Sequence, residues 1–174
     1  LAGRRTDAVR TEQGNGHGGR VPRAGDTFHV DYGPLGAVCD FEGKRPFRQL
    51  GINLNVLLPG EPMSMYHRES RQEGFLVLSG ECLLIVEGEE RPLRAWDYFQ
   101  CPGDTAHVIL GAGDEPAILL AVGARGGRKG IVYLAHPVAI AHGAGVEHET
   151  RKSAEAYAHL PGSKRSTYRE GWLP

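Results

Sequence analysis

The fold is indicated most clearly by two stretches of sequence, Gly60-Glu-Pro-Met-Ser-Met-Tyr-His67-Arg-Glu69-Ser-Arg-Gln-Glu73-Gly-Phe-Leu-Val-Leu-Ser-Gly80 and Cys101-Pro102-Gly-Asp-Thr-Ala-His107-Val-Ile-Leu-Gly111. In both, short apolar runs are bounded by glycine and proline, the residues that tight turns require. From Leu50 onward such runs recur about every 8 to 12 residues, a spacing typical of an all-β sandwich or barrel. The pattern therefore predicts a small β-barrel built from hairpins.

Acidic residues and histidines are spaced along these two stretches in a way that predicts a metal site. His67 and Glu69 are two positions apart, so on one β-strand their side chains share a face. Glu73 precedes an apolar run, and His107 lies on a later strand. Imidazole nitrogens and carboxylate oxygens are ligands for Mn, Fe, Ni and Zn. We therefore expect His67, Glu69, Glu73 and His107 to bind one divalent metal ion.

At these residues the chain resembles the cupin superfamily, whose first motif is Gly-x5-His-x-His-x3,4-Glu-x6-Gly and whose second is Gly-x5-Pro-x-Gly-x2-His-x3-Asn. His67 takes the place of the first histidine, Glu73 that of the glutamate, and Gly80 closes the first motif. Pro102 and His107 stand at the proline-to-histidine spacing of the second motif. The resemblance covers roughly residues 50 to 124 and implies a cupin domain there.

The chain departs from the cupin motifs at several positions. Gly60 is one residue too far from His67, and Glu69 occupies the place of the second histidine. Asp104 replaces the glycine of the second motif, and Gly111 replaces its asparagine. The carboxylate of Glu69 would therefore serve where cupins usually place an imidazole.

A second register of the first motif places Tyr66 and Arg68 in the two histidine positions. It fits the spacing from Gly60 better, but it discards the histidine. We favour the register that keeps His67. In that register Tyr66 and Arg68 alternate with His67, so their side chains are expected on the outer face of the barrel.

The resemblance implies an all-β fold, the cupin double-stranded β-helix or jelly-roll barrel, with short C-terminal helices. Residues 1–25 are rich in glycine, arginine and polar residues and are expected to form a flexible N-terminal arm. The barrel is expected to span residues 26–135, and a C-terminal helical extension residues 136–174. A chain of 174 residues is long enough for this single barrel domain.

Glycine and proline also mark where the strands of the barrel should begin and end. Two strands, at 75–78 and 117–122, are apolar on both faces, as expected between the barrel interior and a covering layer. The expected strands cover residues 51–58, 63–68, 74–78, 82–87, 90–93, 97–101, 106–110 and 117–123, with an edge strand at 131–134.

Two short helices are expected after the barrel. The first begins at Pro137 and ends at Gly143, because proline suits the first turn of a helix and glycine its end. The second covers residues 154–160, with Ser153 as its N-terminal capping residue and Pro161 as its stop.

Composition and charge exclude several classes of partner. The formal net charge of −1 argues against a nucleic-acid or anionic-membrane surface, and no apolar run approaches the roughly 20 residues of a membrane span. The N-terminus lacks the basic-then-apolar order of a secretory signal. The cysteines stand at unrelated spacings that form neither a disulfide framework nor a zinc pattern. We therefore expect a cytoplasmic protein that binds no nucleic acid and no membrane.

The surroundings of the predicted ligands also bear on the metal. Two imidazoles and two carboxylates form an oxygen-rich set, which favours Mn or Fe(II), with Zn and Ni as alternatives. Cys101 lies on the strand that leads to His107, but six residues and a turn separate the two, and we interpret it as a small buried hydrophobe. Asn53, Asn55 and Gln100 are candidates to line a pocket for a polar substrate.

The expected function is that of a metal-binding cupin with a small-molecule ligand. One hypothesis is an enzyme of the isomerase, decarboxylase or dioxygenase type that acts on a small, polar, oxygen-rich metabolite, with the metal polarising a carbonyl group. The alternative is a non-catalytic cupin that binds or senses a small molecule. The edge strands of an open barrel need cover, which predicts a homodimer. The C-terminal helices and the tail that contains Tyr168 and Trp172 are candidates to provide this cover.

Overall fold

Short strands joined by tight turns make up most of the computed structural model, which describes residues 28–31, 36–40, 47–126, 130–161 and 164–166. The elements in these residues are, in chain order, β1 (Phe28–Asp31), β2 (Ala37–Asp40), β3 (Leu50–Leu57), β4 (His67–Glu69), β5 (Glu73–Ser79), β6 (Glu81–Val86), β7 (Glu89–Arg94), β8 (Tyr98–Cys101), β9 (His107–Ala112), β10 (Ala117–Ala124), β11 (Ile131–Tyr133), α1 (Pro137–Ala141), α2 (Ser153–Ala156) and β12 (Lys164–Ser166).

The strands pair into two antiparallel sheets. One sheet has seven strands in the order β12-β1-β2-β3-β10-β5-β8, and the other has five in the order β11-β4-β9-β6-β7. Most neighbours in each sheet are not consecutive in sequence, so the chain crosses repeatedly from one sheet to the other, as in a jelly roll. The predicted all-β fold with short helices near its C-terminal end is confirmed.

The core lies between the two sheets, because one face of each inner strand is apolar. Ala117, Leu119 and Ala121 alternate along β10 and point into this core. Their buried partners from other strands are Leu57, Phe75, Val77, Cys82, Leu84, Val86, Cys101 and Ile109. On the other side of the five-stranded sheet, Tyr66 and Ile85 pack in a second cluster that includes residues of α1.

Two turns show why residues with unusual backbone freedom punctuate the strands. Gly80 joins β5 to β6 with a φ of 75°, a conformation that glycine adopts without steric cost. Asp104, which stands where the cupin motif has glycine, has a φ of 65°. Aspartate is among the few other residues that visit this region. The N–H of Asp104 donates to the carbonyl oxygen of Glu69 at 2.6 Å, which ties this turn to β4.

One expected strand is wrong over most of its length. Of residues 63–68, only His67 and Arg68 belong to β4, which runs from His67 to Glu69. The N–H of Met63 donates to Ile109, whereas the N–H of Tyr66 donates to Ala144 beyond α1, so the segment bonds to two separate parts of the fold. The other strands expected between residues 51 and 134 are confirmed, with ends shifted by one or two residues.

The helices are shorter than expected. α1 begins at Pro137 as expected and ends before Gly143. The prediction that Ser153 caps the second helix is wrong, because Ser153 is its first helical residue and Lys152 holds the cap position without a side-chain cap bond. The carbonyl of Lys152 already accepts the N–H of Ala156, so the helix begins one residue early. It ends at Ala156 instead of residue 160.

The expected N-terminal arm at residues 1–25 and the tail that contains Tyr168 and Trp172 lie outside the described residues. The limits of the barrel, 26–135, and of the extension, 136–174, stay predictions. Neither helix of the described part of the chain has the length and apolar character that crossing a membrane requires.

Candidate metal centre

Three of the four predicted ligands meet between the two sheets. His67 on β4 lies directly opposite His107 on β9 in the five-stranded sheet. Glu73 is the first residue of β5 in the other sheet. The ligand atoms of the three side chains all lie within 4.8 Å of one another. This metal group of His67, Glu73 and His107 can hold a metal ion.

The register that keeps His67 in the first histidine position is the one that the fold uses. His67 points inward and is 8% exposed, whereas its neighbour Arg68 is exposed. Tyr66 points away from the metal group, and its ring packs 5.6 Å from that of His136 in the C-terminal part of the chain.

Aromatic rings surround the imidazoles. The ring centroids of His67 and His107 are 4.9 Å apart. Phe75 and Phe99 lie 5.4 Å and 6.3 Å from His107, and His107 is only 3% exposed. These rings exclude water from one side of the metal group, and the lower local dielectric strengthens electrostatic interactions there.

The backbone sets the orientation of both imidazoles. Nδ1 of His67 lies 2.7 Å from the carbonyl oxygen of Met65, and Nδ1 of His107 lies 3.0 Å from that of Thr105. A carbonyl oxygen only accepts, so each Nδ1 must carry the hydrogen. In the neutral ring Nε2 then keeps a free lone pair, which is how metal-binding histidines are commonly oriented.

Glu73 supplies an oxygen that a cation would satisfy. Its Oε2 is buried and has no hydrogen-bond partner among the described residues, although Nε2 of His107 is 3.2 Å away. Two ligand atoms on one ion at about 2.1 Å stand roughly 3.0–3.5 Å apart. The separation of this oxygen and nitrogen, together with the unpartnered oxygen, therefore fits a shared divalent ion.

The pKa values of the two imidazoles shift in opposite directions. Burial, together with the neighbouring charge of His107, lowers the pKa of His67. Burial also acts to lower the pKa of His107, but its contacts with Cys101 and Glu73 outweigh this and raise the pKa to about 10. Without a metal ion, the proton of the group therefore belongs to His107, beside the carboxylate.

Glu69, the fourth predicted ligand, lies beside the metal group and is not one of its members. The side chain is half-buried and lines a neighbouring cavity of about 230 Å³. Burial, together with the negative charge of Glu73, raises the pKa of the Glu69 carboxyl. The carboxyl is therefore close enough to interact electrostatically with the metal group, and its role as a ligand stays a prediction.

A family model described as "Cupin domain" matches residues 53–123, a range that includes the whole metal group. Residues 53–123 therefore form a cupin domain. This confirms the cupin resemblance that the two motifs indicate. No curated protein matches the sequence of this cupin.

Solved structures similar to this cupin share its fold. A sugar phosphate isomerase of the cupin superfamily from Silicibacter pomeroyi is 22% identical, with a TM-score of 0.53 over 70% of this chain and 80% of that one. An RmlC-like cupin from Shewanella frigidimarina is 18% identical, with a TM-score of 0.53 over 63% of this chain and 93% of that one. A candidate sugar phosphate isomerase from Acidithiobacillus ferrooxidans is 30% identical, with a TM-score of 0.46 over 48% of this chain. The match spans only 55% of the length of that protein.

Two of the three residues expected to line a pocket face the interior of the cupin barrel. Asn53 and Asn55 lie on the inward face of β3, and Nδ2 of Asn55 donates to Oδ1 of Asn53 at 2.8 Å. Gln100 does not line the pocket, because it is exposed on the outer face of β8 between the inward-facing Phe99 and Cys101.

Cys101 is buried as expected, but it also touches the metal group, which is not expected from the turn that separates it from His107. Its Sγ lies 3.3 Å from Nδ1 of His107. Cys101 faces Glu73 across the pair of β5 and β8. This strand pairing, rather than the separation in sequence, brings the thiol to the metal group.

Arg71 is a second residue near the site that no motif marks. It lies on the turn between β4 and β5, two residues before Glu73. Together with Glu69 it lines the cavity beside the metal group. Arginines on turns are usually solvated, so only the folded arrangement indicates a role for this one.

Proposed function

We propose that this cupin is a metal-dependent enzyme that acts on a small, polar, oxygen-rich metabolite by isomerisation, decarboxylation or oxygen insertion. One observation supports the proposal most directly. The ligand atoms of three side chains converge within 4.8 Å between the two sheets, and Oε2 of Glu73 lies 3.2 Å from Nε2 of His107. A divalent cation can replace the proton that otherwise holds this carboxylate and imidazole together.

The ligands of the metal group support Mn or Fe(II), with Zn and Ni as alternatives. Two imidazole nitrogens and one carboxylate oxygen match a two-histidine, one-carboxylate triad, which leaves coordination positions open for a substrate. When bound, such an ion acts as a Lewis acid that polarises a carbonyl oxygen of the substrate.

The residues around the metal group prepare it for this chemistry. The carbonyls of Met65 and Thr105 hold the two imidazoles in the orientation that presents Nε2. Phe75 keeps water from one side of His107. Asn53 faces the interior and offers an amide group to a polar substrate.

We also propose that the protein works in the cytoplasm. Cys82 and Cys101 are free and buried, and free thiols persist in a reducing compartment.

Elemental analysis of the purified chain tests the metal site. We expect about one divalent ion per chain, and its loss in His67→Ala and in His107→Ala, because the binding energy depends on all ligands together. His148→Ala, a change to an exposed histidine outside the metal group, should keep the metal. Full occupancy in the double variant His67→Ala/His107→Ala would overturn the site.

Turnover requires a separate measurement. The metal-loaded protein is incubated with small hydroxy acids, keto acids and sugars, while oxygen uptake and new products are followed by electrode and by NMR. Product formation that stops when the metal is removed supports an enzyme. Binding of these compounds without formation of any product would contradict the enzyme hypothesis and support a non-catalytic cupin.

A further inference from the structure

A cavity of about 230 Å³ lies beside the metal group. Its lining residues are Glu69, Ser70, Arg71, Gly130 and Ile131. Glu69 lies on β4 two residues after the metal ligand His67, so the cavity adjoins the metal group.

Arg71 brings its guanidinium to the wall of this cavity. Its Nε is buried and has no hydrogen-bond partner among the described residues. The guanidinium stays protonated at every physiological pH, and its planar fork of N–H donors matches the two oxygens of a carboxylate or phosphate. A buried N–H donor without a partner costs free energy, and an anionic ligand at the guanidinium would offset that cost.

The turn that carries Arg71 is held on both sides by backbone hydrogen bonds. The N–H of Ser70 donates to the carbonyl oxygen of Gly130 at 3.0 Å. The N–H of Ala124 donates to the carbonyl oxygen of Gln72 at 3.1 Å. Because both neighbours of Arg71 are fixed to other strands or their ends, the side chain starts from a defined position at the cavity wall.

The charges around the cavity match a ligand with one negative charge. When the imidazoles are neutral, a divalent ion and the guanidinium of Arg71 carry three positive charges, and the carboxylates of Glu69 and Glu73 carry two negative ones. The remaining positive charge is neutralised by one anionic group.

We propose that this cavity binds an oxyanion group of the substrate, a carboxylate or a phosphate, on the guanidinium of Arg71. The anion site itself does not depend on the metal. The proposal rests on the proposed function only in placing the reacting part of the substrate at the metal group. It narrows the substrate class from polar metabolites to acids or phosphate esters.

The test uses acetate and inorganic phosphate as probes, with neutral acetamide as the uncharged counterpart of acetate. Binding to the full-length protein is measured by ligand-observed NMR titration, both after metal removal and after loading with zinc. We expect Arg71→Gln to weaken binding of the preferred anion about ten- to a hundredfold in both states, because it removes a charge-assisted hydrogen bond. The affinity of Arg71→Lys for the anion should lie between those of the parent and of Arg71→Gln, because lysine keeps the charge and loses the planar fork.

Arg68→Gln is the matched control, since Arg68 is an exposed arginine on the neighbouring strand, and it should bind as the parent does. Tighter binding of phosphate than of acetate would point to a phosphate ester as the substrate, and the reverse order to a carboxylic acid. The proposal is overturned if the parent binds neither anion, if acetamide binds as well as acetate, or if Arg71→Gln and Arg71→Lys both match the parent.

The measurements on metal-free protein separate this proposal from the proposed function. If the chain takes up no metal but Arg71→Gln still weakens anion binding, the metal-dependent enzyme fails and the anion site stands. If the chain holds its metal but Arg71→Gln has no effect on anion binding, the anion site fails and the metal centre stands.

Discussion

His67 and His107 touch, yet they hold protons with different strength. The pKa of His67 is lowered by burial and by the charge of its neighbour, whereas contacts with Cys101 and Glu73 raise that of His107 to about 10. A metal ion needs the lone pair on Nε2 of both rings. It must therefore displace a proton from His107, while His67 is already neutral at pH 7.

This difference predicts how metal binding depends on pH. Between pH 7 and the pKa of about 10 of His107, each bound ion should release about one proton, so affinity should rise roughly tenfold per pH unit. Above that pKa the dependence should vanish, since the proton is already lost. Calorimetry at pH 8 in buffers of different ionisation enthalpy counts the released protons. An enthalpy that is independent of the buffer would contradict the assignment of the proton to His107.

Glu69 is predicted to tune the choice of metal from its place beside His67 on β4. Glu69→His should keep the metal and shift preference toward Ni, Cu or Zn, because imidazole is a softer ligand than carboxylate. Glu69→Ala should weaken binding about tenfold, the scale of losing a group that contacts the metal or its ligands. Competition among mixed ions followed by elemental analysis measures both effects. Glu115→Ala, at an exposed acid, is the control, and equal selectivity in all variants would make Glu69 a bystander.

At the scale of strands, the sequence predicts a strand wherever apolar and polar residues alternate or turn residues bound an apolar run. It does not predict contacts that depend on which strands pair. His67 and His107 could be recognised because each belongs to a spaced motif. The contact of Cys101 with the metal group could not, because it follows from the pairing of Cys101 with Glu73. The strand expected at residues 63–66 was wrong for a different reason. Met65 and Tyr66 are adjacent yet both buried, because the bent segment packs against two surfaces. Such a segment has the same apolar composition as a buried strand.

Tight backbone packing explains why β9 has Gly111 where the second cupin motif has asparagine. A Cβ atom at this position would meet the carbonyl oxygens of Leu57 and Leu58. The backbone of Gly111 also exchanges hydrogen bonds with Gly60 and Glu61 at 2.9 Å. This close approach joins the end of β9 to the turn after β3.

Replacing Gly111 should therefore loosen the barrel. We expect Gly111→Ala to lower the free energy of unfolding by about 1–3 kcal/mol, the usual cost of forcing an extra carbon into a packed site. Gly111→Asn should cost at least as much, although it restores the residue of the motif. Urea denaturation of metal-free protein measures both. Denaturation curves that coincide with that of the parent would contradict this prediction, because they would show that the turn accommodates the side chain without loss of stability.

At the scale of the whole molecule, the outer face of the seven-stranded sheet carries an apolar stripe. Leu54, Leu120 and Leu76 lie opposite one another on β3, β10 and β5. Each points away from the core and remains half-buried. These three strands, about 4.8 Å apart and about 25 Å long, present a face on the order of 350 Å². Two such faces together bury on the order of 700 Å², so a specific interface of roughly 1,000 Å² must extend onto the neighbouring strands.

We propose that the homodimer expected from the sequence forms by pairing two copies of this outer face. Light scattering should give about twice the chain mass of 18.9 kDa for the parent and the single mass for Leu120→Lys, because a buried lysine in an apolar interface is costly. Ile140→Lys, at an exposed apolar residue on α1, should stay dimeric. A monomeric parent at high concentration, or a dimeric Leu120→Lys, would rule out this arrangement.

The hydrogen bonds that orient the two imidazoles end on backbone oxygens, those of Met65 and Thr105. Every amino acid carries this oxygen, so no substitution at either position deletes the acceptor as long as the local backbone keeps its path. Inheritance of the histidine orientation is thus independent of side-chain identity at residue 105. Lineages that descend from such a protein can vary the walls of the neighbouring cavity, and with them the substrate, while the means of capturing the metal passes unchanged from ancestor to descendant.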